Sequence, residues 1–321
     1  MSSTALSGPS TGARTVRRIH KRRHPWRWAA AVVACLVVAL VVVAFARAQI
    51  KWPAVGRYIT SHLFIDTVWR VLLLAVVAQG IAIVLGLVTA VMRLSGNPVA
   101  SRLAWLYVWL FRGVPVLLQI ILWYNLALVI KRVDITVLGW HVINESTNTL
   151  ITPFVAAVLG LSLNEAAYMA EIVRGGMKSV DSGQVEAAAA LGMSPARVTT
   201  RIVMPQAMRA IIPPTGNNFI NMLKATALAS TITYPELLYV SQSVSAVNLE
   251  VVETLFAAAF WYMVLVSAFS VGQYFLEKKF DAGFARSTPR TTRQIMRAGL
   301  RLRGRRALVP TIDASEGGPQ Q

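Results

Sequence analysis

The sequence predicts an all-α, polytopic helical membrane protein with about six transmembrane helices. Three observations predict it: a high apolar fraction, a shortage of charge concentrated in long blocks, and basic residues gathered between and beyond those blocks. Of 321 residues, 55% are hydrophobic and only 14% charged, whereas a soluble domain carries about a quarter charged residues. A helix needs about 20 apolar residues to cross the hydrocarbon core of a bilayer. Six stretches meet that need, at 28–46, 64–92, 114–130, 151–173, 206–232 and 251–276.

The first stretch follows a basic head, and Ala44-Phe45-Ala46 resembles a signal-peptidase site. Its apolar run exceeds the usual core of about 7–15 residues in a signal peptide, so a retained anchor is expected at 28–46. The segments 1–27 and 281–321 are rich in Arg, Ser, Thr, Gly and Pro. They hold too little apolar surface to offset chain entropy and are expected to be disordered basic tails.

The formal net charge is +18. Seven basic and no acidic residues occupy 1–27, and eight arginines follow Phe280. Basic residues beside apolar spans act first as topology signals and as contacts to anionic lipid. No aromatic-interleaved basic surface points to nucleic acid. With six spans both termini lie on one side, and the loops of that side hold 24 Lys and Arg against five opposite. The excess of positive charge predicts that both termini are cytoplasmic. Cys35 and four scattered histidines assemble no metal site, and no cofactor or catalytic residue is expected.

The segment 181–214 is long for a loop between spans, and its local chemistry describes two short helices. Asp181 and Gln184 have the spacing of a capping box, and Glu186 to Leu191 is a run of helix formers. Gly192 sits where a helix ends in a left-handed turn. Ser194-Pro195 restarts a helix with a cap and a proline at its first position, and Pro205 is expected to interrupt it. The product is a helix–glycine–helix elbow outside the membrane. A Walker-type phosphate loop is absent, because Gly175-Gly176-Met177-Lys178-Ser179 has the wrong spacing. Any ATP hydrolysis must come from another polypeptide.

Glu186-Ala187-Ala188, Gly192, Ile202 and Pro205 resemble the EAA loop of bacterial ATP-binding-cassette importer permeases, with Met204 in place of a leucine. Phe111-Arg112-Gly113-Val114-Pro115 and the run Ala167 to Gly176 resemble segments of the permeases for polar amino acids. The resemblance covers about 64–280 and implies a type I importer permease-like core, with 28–46 an added helix. It implies that Glu186, Ala187, Ala188, Gly192 and Pro205 couple the chain to an ATPase. The shallow face of Ala187 and Ala188 would seat in that partner, and Gly192 would let the elbow act as a lever. Implied partners are two ATPase subunits, a second permease subunit (identical or related), an extracytoplasmic solute-binding protein, an amino-acid substrate and membrane lipid.

Candidate substrate-path residues are Asn164 and Glu165 in the fourth span and Asn217, Asn218, Asn221 and Lys224 in the fifth. An acidic residue at membrane depth is functional by default. Glu165 either faces the path and attracts an ammonium or guanidinium group, or pairs with Arg or Lys of a neighbouring helix. The asparagines recur at three- and four-residue steps and so share a face. Lys224 either offers its charge to a carboxylate or snorkels to the interface. Asn218, Ala225 and Ala227 depart from the GNE and LLKDTSL pattern of the polar amino-acid permeases. A secondary transporter, channel or intramembrane enzyme fits less well: the spans carry few ionisable groups and no histidine.

Overall fold

A computed structural model describes residues 25–137 and 140–281. The two basic tails fall outside these residues, apart from the last few positions of 1–27 and Asp281. The chain divides at Lys51/Trp52 into two units. The first holds one helix, α1 (Pro25–Arg47), with an unbroken apolar run from Ala29 to Ala46. It presents Val, Leu and Ala on every side. A helix apolar all round suits a lipid environment.

The second unit begins with α2 (Trp52–Ile59), whose Ala54, Val55 and Tyr58 are buried. Next come α3 (His62–Leu94), α4 (Pro98–Gly113) and α5 (Val116–Tyr124). Ser61 caps α3 and Asn97 caps α4, each side chain accepting from backbone N–H groups of the first turn. Gly113 and Pro115 bracket a 98° bend between α4 and α5. The expected span at 114–130 is therefore not one helix: it is α5, a short 3₁₀ turn at Leu126–Leu128, and the chain beyond. The cause is Pro115, which has no N–H to continue the α4 ladder.

A β-hairpin follows, β1 (Arg132–Val137) paired antiparallel with β2 (Trp140–Ser146), with an irregular register at Ile135/Thr136. It corrects the all-helical expectation locally. Alternation of Val133, Ile135 and Val137 with polar neighbours is a period-two pattern. The chain then forms α6 (Thr147–Leu150) and α7 (Pro153–Lys178), the latter capped by Thr152 with Pro153 at its start.

Beyond the elbow lie α10 (Met204–Ala225), a 3₁₀ segment (Thr226–Ile232), α11 (Leu237–Asn248) and α12 (Val251–Asp281). α10 holds Pro213 and Pro214 in its interior, which removes two backbone donors from its ladder. Gln273 of α12 donates to the Pro213 carbonyl at 2.8 Å. Among the described residues, four helices are long and apolar enough to span a membrane: Ala29–Arg47, His62–Leu94, Pro153–Lys178 and Val251–Phe280. The bent α4–α5 pair raises the number to five. The fifth expected span, 206–232, is helical but too polar to qualify, because Arg209, three asparagines and Lys224 interrupt it.

One core joins α3, α5, α7, α10 and α11 through Phe64, Leu74, Ile120, Leu161, Leu223 and Leu237, each at most 2% exposed. Where α3 meets α7 the facing residues are small, including Ala82, Gly86, Ala90, Ala166 and Ala170. A Cβ added at Gly86 would stand 2.5 Å from Met169 Cβ. Such close approach is how helices gain dispersion energy where lipid offers no hydrophobic drive. The opposite face of α3 exposes Trp69, Leu73, Val76, Val84, Val88 and Val91, a stripe at helical spacing that fits acyl chains.

Candidate functional site

The elbow forms as the local sequence dictates, with three differences. Helix α8 (Ser182–Ala190) is capped by Asp181, whose carboxylate accepts from Gly183 N–H at 2.7 Å. Gln184 does not reciprocate as a capping box requires; its side-chain oxygen accepts from Gln206 Nε2 at 2.6 Å. The hydrogen bond ties α8 to the first turn of α10. Gly192 adopts φ +75°, and the Met193 and Gly192 N–H groups donate to the Ala188 and Ala189 carbonyls. This left-handed closure satisfies carbonyls that the helix end would leave free.

Ser194 and Pro195 open α9 (Pro195–Val198), which runs through a π-helical turn (Thr199–Val203) directly into α10. Pro205 therefore does not interrupt a helix but stands in the first turn of α10. The wide i→i+5 turn just before it relieves the clash that a proline ring makes with the carbonyl four residues earlier.

The third difference concerns the two alanines. Ala187 is exposed, but Ala188 is 5% exposed and packs with Val198 and Val203. Met177 and Val180, at the end of α7, complete that small core. Ala188 thus holds the elbow together instead of facing outward. Glu186 is exposed, as are Leu191 (83%) and Gly192 at the tip.

Two consequences follow for the helices on either side. The elbow packs on α7 through Met177 and Val180, and it is continuous with α10. Just inside the bundle the same helices touch closely: Val173 packs with Ala207 and Ile211, and a Cβ on Gly176 would collide with the Ile211 side chain.

Further along both helices lies a polar pair. Asn218 Nδ2 of α10 donates to Glu165 Oε1 of α7 at 2.5 Å. Both residues are half-buried, and no Arg or Lys pairs with Glu165 among the described residues. Asn164 turns elsewhere, donating to the Phe111 carbonyl at 2.6 Å beside the α4–α5 bend. That carbonyl lies in the last turn of α4 and also accepts from Gln119 Nε2 at 2.9 Å. Asn217, Asn221 and Lys224 are exposed along one face of α10. The site candidates thus fall into a joined pair, a structural asparagine, and an open polar stripe.

Two sets of polar links reach beyond the sequence reading, Arg93 on Glu171 and the partners of Glu236. Glu171 takes Arg93 on one oxygen at 2.8 Å and Arg174 on the other. The Arg174 pair follows from its three-residue spacing, whereas Arg93 is 78 positions away and gave no local signal. Glu236, fully buried, caps α11 by accepting from Leu238 and Tyr239 N–H groups and from the Tyr262 hydroxyl. Burial pushes its carboxyl above the usual range, against the lowering effect of these three hydrogen bonds. No group of metal-ligating side chains occurs among the described residues.

Long apolar helices sharing a polar pair and an external elbow define a membrane-embedded transport component. The chain belongs to the family of binding-protein-dependent transport system inner membrane components, whose model matches residues 82–282. It is 42% identical over 275 residues to the arginine transport system permease protein ArgU of Corynebacterium glutamicum, covering 85% of each chain. The histidine/lysine/arginine/ornithine transport system permease protein HisM of Escherichia coli is 33% identical, over 62% of this chain and 79% of that one. A crystal structure of an amino acid ABC transporter with histidines superposes with a TM-score of 0.59 at 33% identity, covering 68% of this chain and 94% of that one. The MetNI methionine ABC transporter shares the fold at a TM-score of 0.55 and 16% identity. The chain is thus a multi-pass permease of the ATP-binding-cassette importer class.

Proposed function

We propose that this chain forms the transmembrane passage of an importer for polar or cationic amino acids and is driven by a separate ATPase docked on its elbow. One observation carries the reading: the elbow is packed on α7 and continuous with α10, the two helices that supply Glu165 and Asn218. Residues Glu165 and Met177 are separated along α7 by about 18 Å at 1.5 Å per residue. Force applied at the tip therefore reaches the polar pair along α7 and α10. Closure of the ATPase pair would change the spacing between α7 and α10 and so make or break the Glu165–Asn218 hydrogen bond. A substrate ammonium or guanidinium group would replace Asn218 as the partner of Glu165. Asn217, Asn221 and Lys224 would face water or the substrate carboxylate rather than lipid.

The amino-acid class is supported by the relatives named for arginine and for histidine, lysine, arginine and ornithine transport. Glu186, Ala187 and Gly192 form the exposed docking tip, while Ala188 and Pro205 shape it. The assembly is proposed to hold two permease subunits, two ATPases and an extracytoplasmic binding protein, with both termini of this chain in the cytoplasm. The permease itself catalyses no reaction. Residues 64–280 are proposed as the transport domain and 28–46 as an added anchor.

The test is uptake of a labelled amino-acid panel in cells lacking the gene, complemented with the natural chain or with Gly192→Asp. Uptake of cationic or polar amino acids should return with the natural chain alone, while both proteins reach the membrane. Restoration by Gly192→Asp to the natural level would sink the coupling role, and an unaffected panel would sink the substrate class.

A further inference from the structure

A cavity away from the elbow and the α7–α10 pair lies where α4 crosses α3 and α7. Its volume is about 460 Å³, and Arg93, Trp105, Trp109, Arg112, Tyr168 and Glu171 line it. That volume lies within the range of about 300–1,000 Å³ typical of small-ligand sites. Two guanidinium groups and one carboxylate line it, and a third guanidinium, that of Arg174, reaches the carboxylate from behind the lining. Glu171 is used on both oxygens, by Arg93 and by Arg174. Arg112 is left over: its guanidinium lies 4.8 Å from the Tyr168 ring centroid, and it makes no ion pair or hydrogen bond among the described residues. The floor of the cavity therefore carries uncompensated positive charge.

Its rim is aromatic and apolar. Trp105 and Trp109 stack at 6.3 Å with their planes 13° apart, yet are 53% and 61% exposed. Leu106 and Leu110 continue the exposed apolar face of α4. Tryptophan with one apolar and one wet edge marks the headgroup level of a bilayer, and Arg93 in the last turn of α3 stands at that level. A cationic floor opening onto an apolar rim suits a molecule with a phosphate at one end and hydrocarbon at the other. Arginine offers the planar fork that phosphate oxygens accept, and basic pockets between membrane helices take anionic headgroups.

We propose that the α3–α4–α7 cavity binds the phosphate of an anionic phospholipid, held by Arg112 with Arg93 and covered by Trp105 and Trp109. The site fastens the bent α4–α5 pair to α7 through a lipid and makes the transporter sensitive to membrane composition.

The full-length chain, purified in detergent, would be titrated with phosphatidylglycerol and separately with phosphatidylcholine, and retained lipid counted by native mass spectrometry. Phosphatidylglycerol should be retained in preference, and Arg112→Gln should weaken it about fivefold. Arg112→Lys should fall between the two. Arg102→Gln removes an equal charge from an exposed position of α4 outside the cavity and should leave retention unchanged. Trp109→Ser keeps every charge and should also weaken retention, so the test survives if the Arg112 variant misfolds. Equal loss in the Arg102 and Arg112 variants overturns the proposal in favour of general surface charge. Equal retention of phosphatidylcholine overturns it too. Displacement of the lipid by millimolar inorganic phosphate would reassign the cavity to a free anion.

Discussion

A Cβ added at Gly192 meets nothing within 4 Å, yet its φ of +75° lies where a side chain clashes with its own backbone. The cost of substitution there is conformational, about 1–2 kcal/mol. Gly192→Ala should therefore raise hydrogen exchange across the elbow and lower uptake, with no loss of packing elsewhere. Exchange confined to the bundle instead would refute that account. Glu236 supplies a second prediction at this scale. Its carboxyl holds a proton more tightly when folded than unfolded, because burial outweighs its hydrogen bonds. In the window between the ordinary carboxylate value and the raised one, the folded chain binds more protons, so stability falls as pH rises. Thermal unfolding followed as pH is raised from the ordinary carboxylate value of about 4.3 should show this decline. Glu236→Gln should flatten it; an unchanged slope would assign the decline to another group.

At the scale of elements, the elbow and the long apolar helices α1, α3, α7 and α12 were legible in the sequence because their signals are local, whereas α2, α4, α6 and α11 were not. Asp181, Gly192 and Ser194-Pro195 act within four residues, and each occupies the place its chemistry predicts. What was not legible depends on partners far along the chain. Ala187 and Ala188 are alike in sequence, and only the packing of Val198 and Val203 turns one inward. The same holds for Glu165, whose partner Asn218 lies 53 positions away. The span at 114–130 was misjudged because apolar content reports burial in lipid and not direction. Pro115 signalled the break, but not that α4 would precede it as a helix. The two alanines give a paired test. Ala187→Glu should abolish uptake with thermal stability unchanged, since the position is exposed. Ala188→Glu buries an unpaired charge and should lower both. Equal stability of the two variants would mean that the elbow core contributes nothing.

For the whole molecule, the proposed orientation rests on the distribution of Lys and Arg, which is a statement about every loop at once. It is checked by labelling intact cells with a membrane-impermeant thiol reagent, after Cys35→Ala removes the native thiol. Leu191→Cys should stay unlabelled until the cells are opened, whereas Asn148→Cys should react at once; both positions are exposed. The reverse pattern would invert the topology. A last consequence follows from the small core under the elbow, in which Ala188, Val198 and Val203 meet Met177 and Val180. A tip that already holds its bound shape has little freedom left to surrender on association. Subunit encounter would then need no folding step, and the association rate would be limited by diffusion and orientation. Assembly could begin from either subunit, and the interface would strengthen mainly by slowing release. A tip that had to fold on contact would instead give a large negative heat-capacity change beyond its contact area. Calorimetry of the two purified subunits distinguishes these cases.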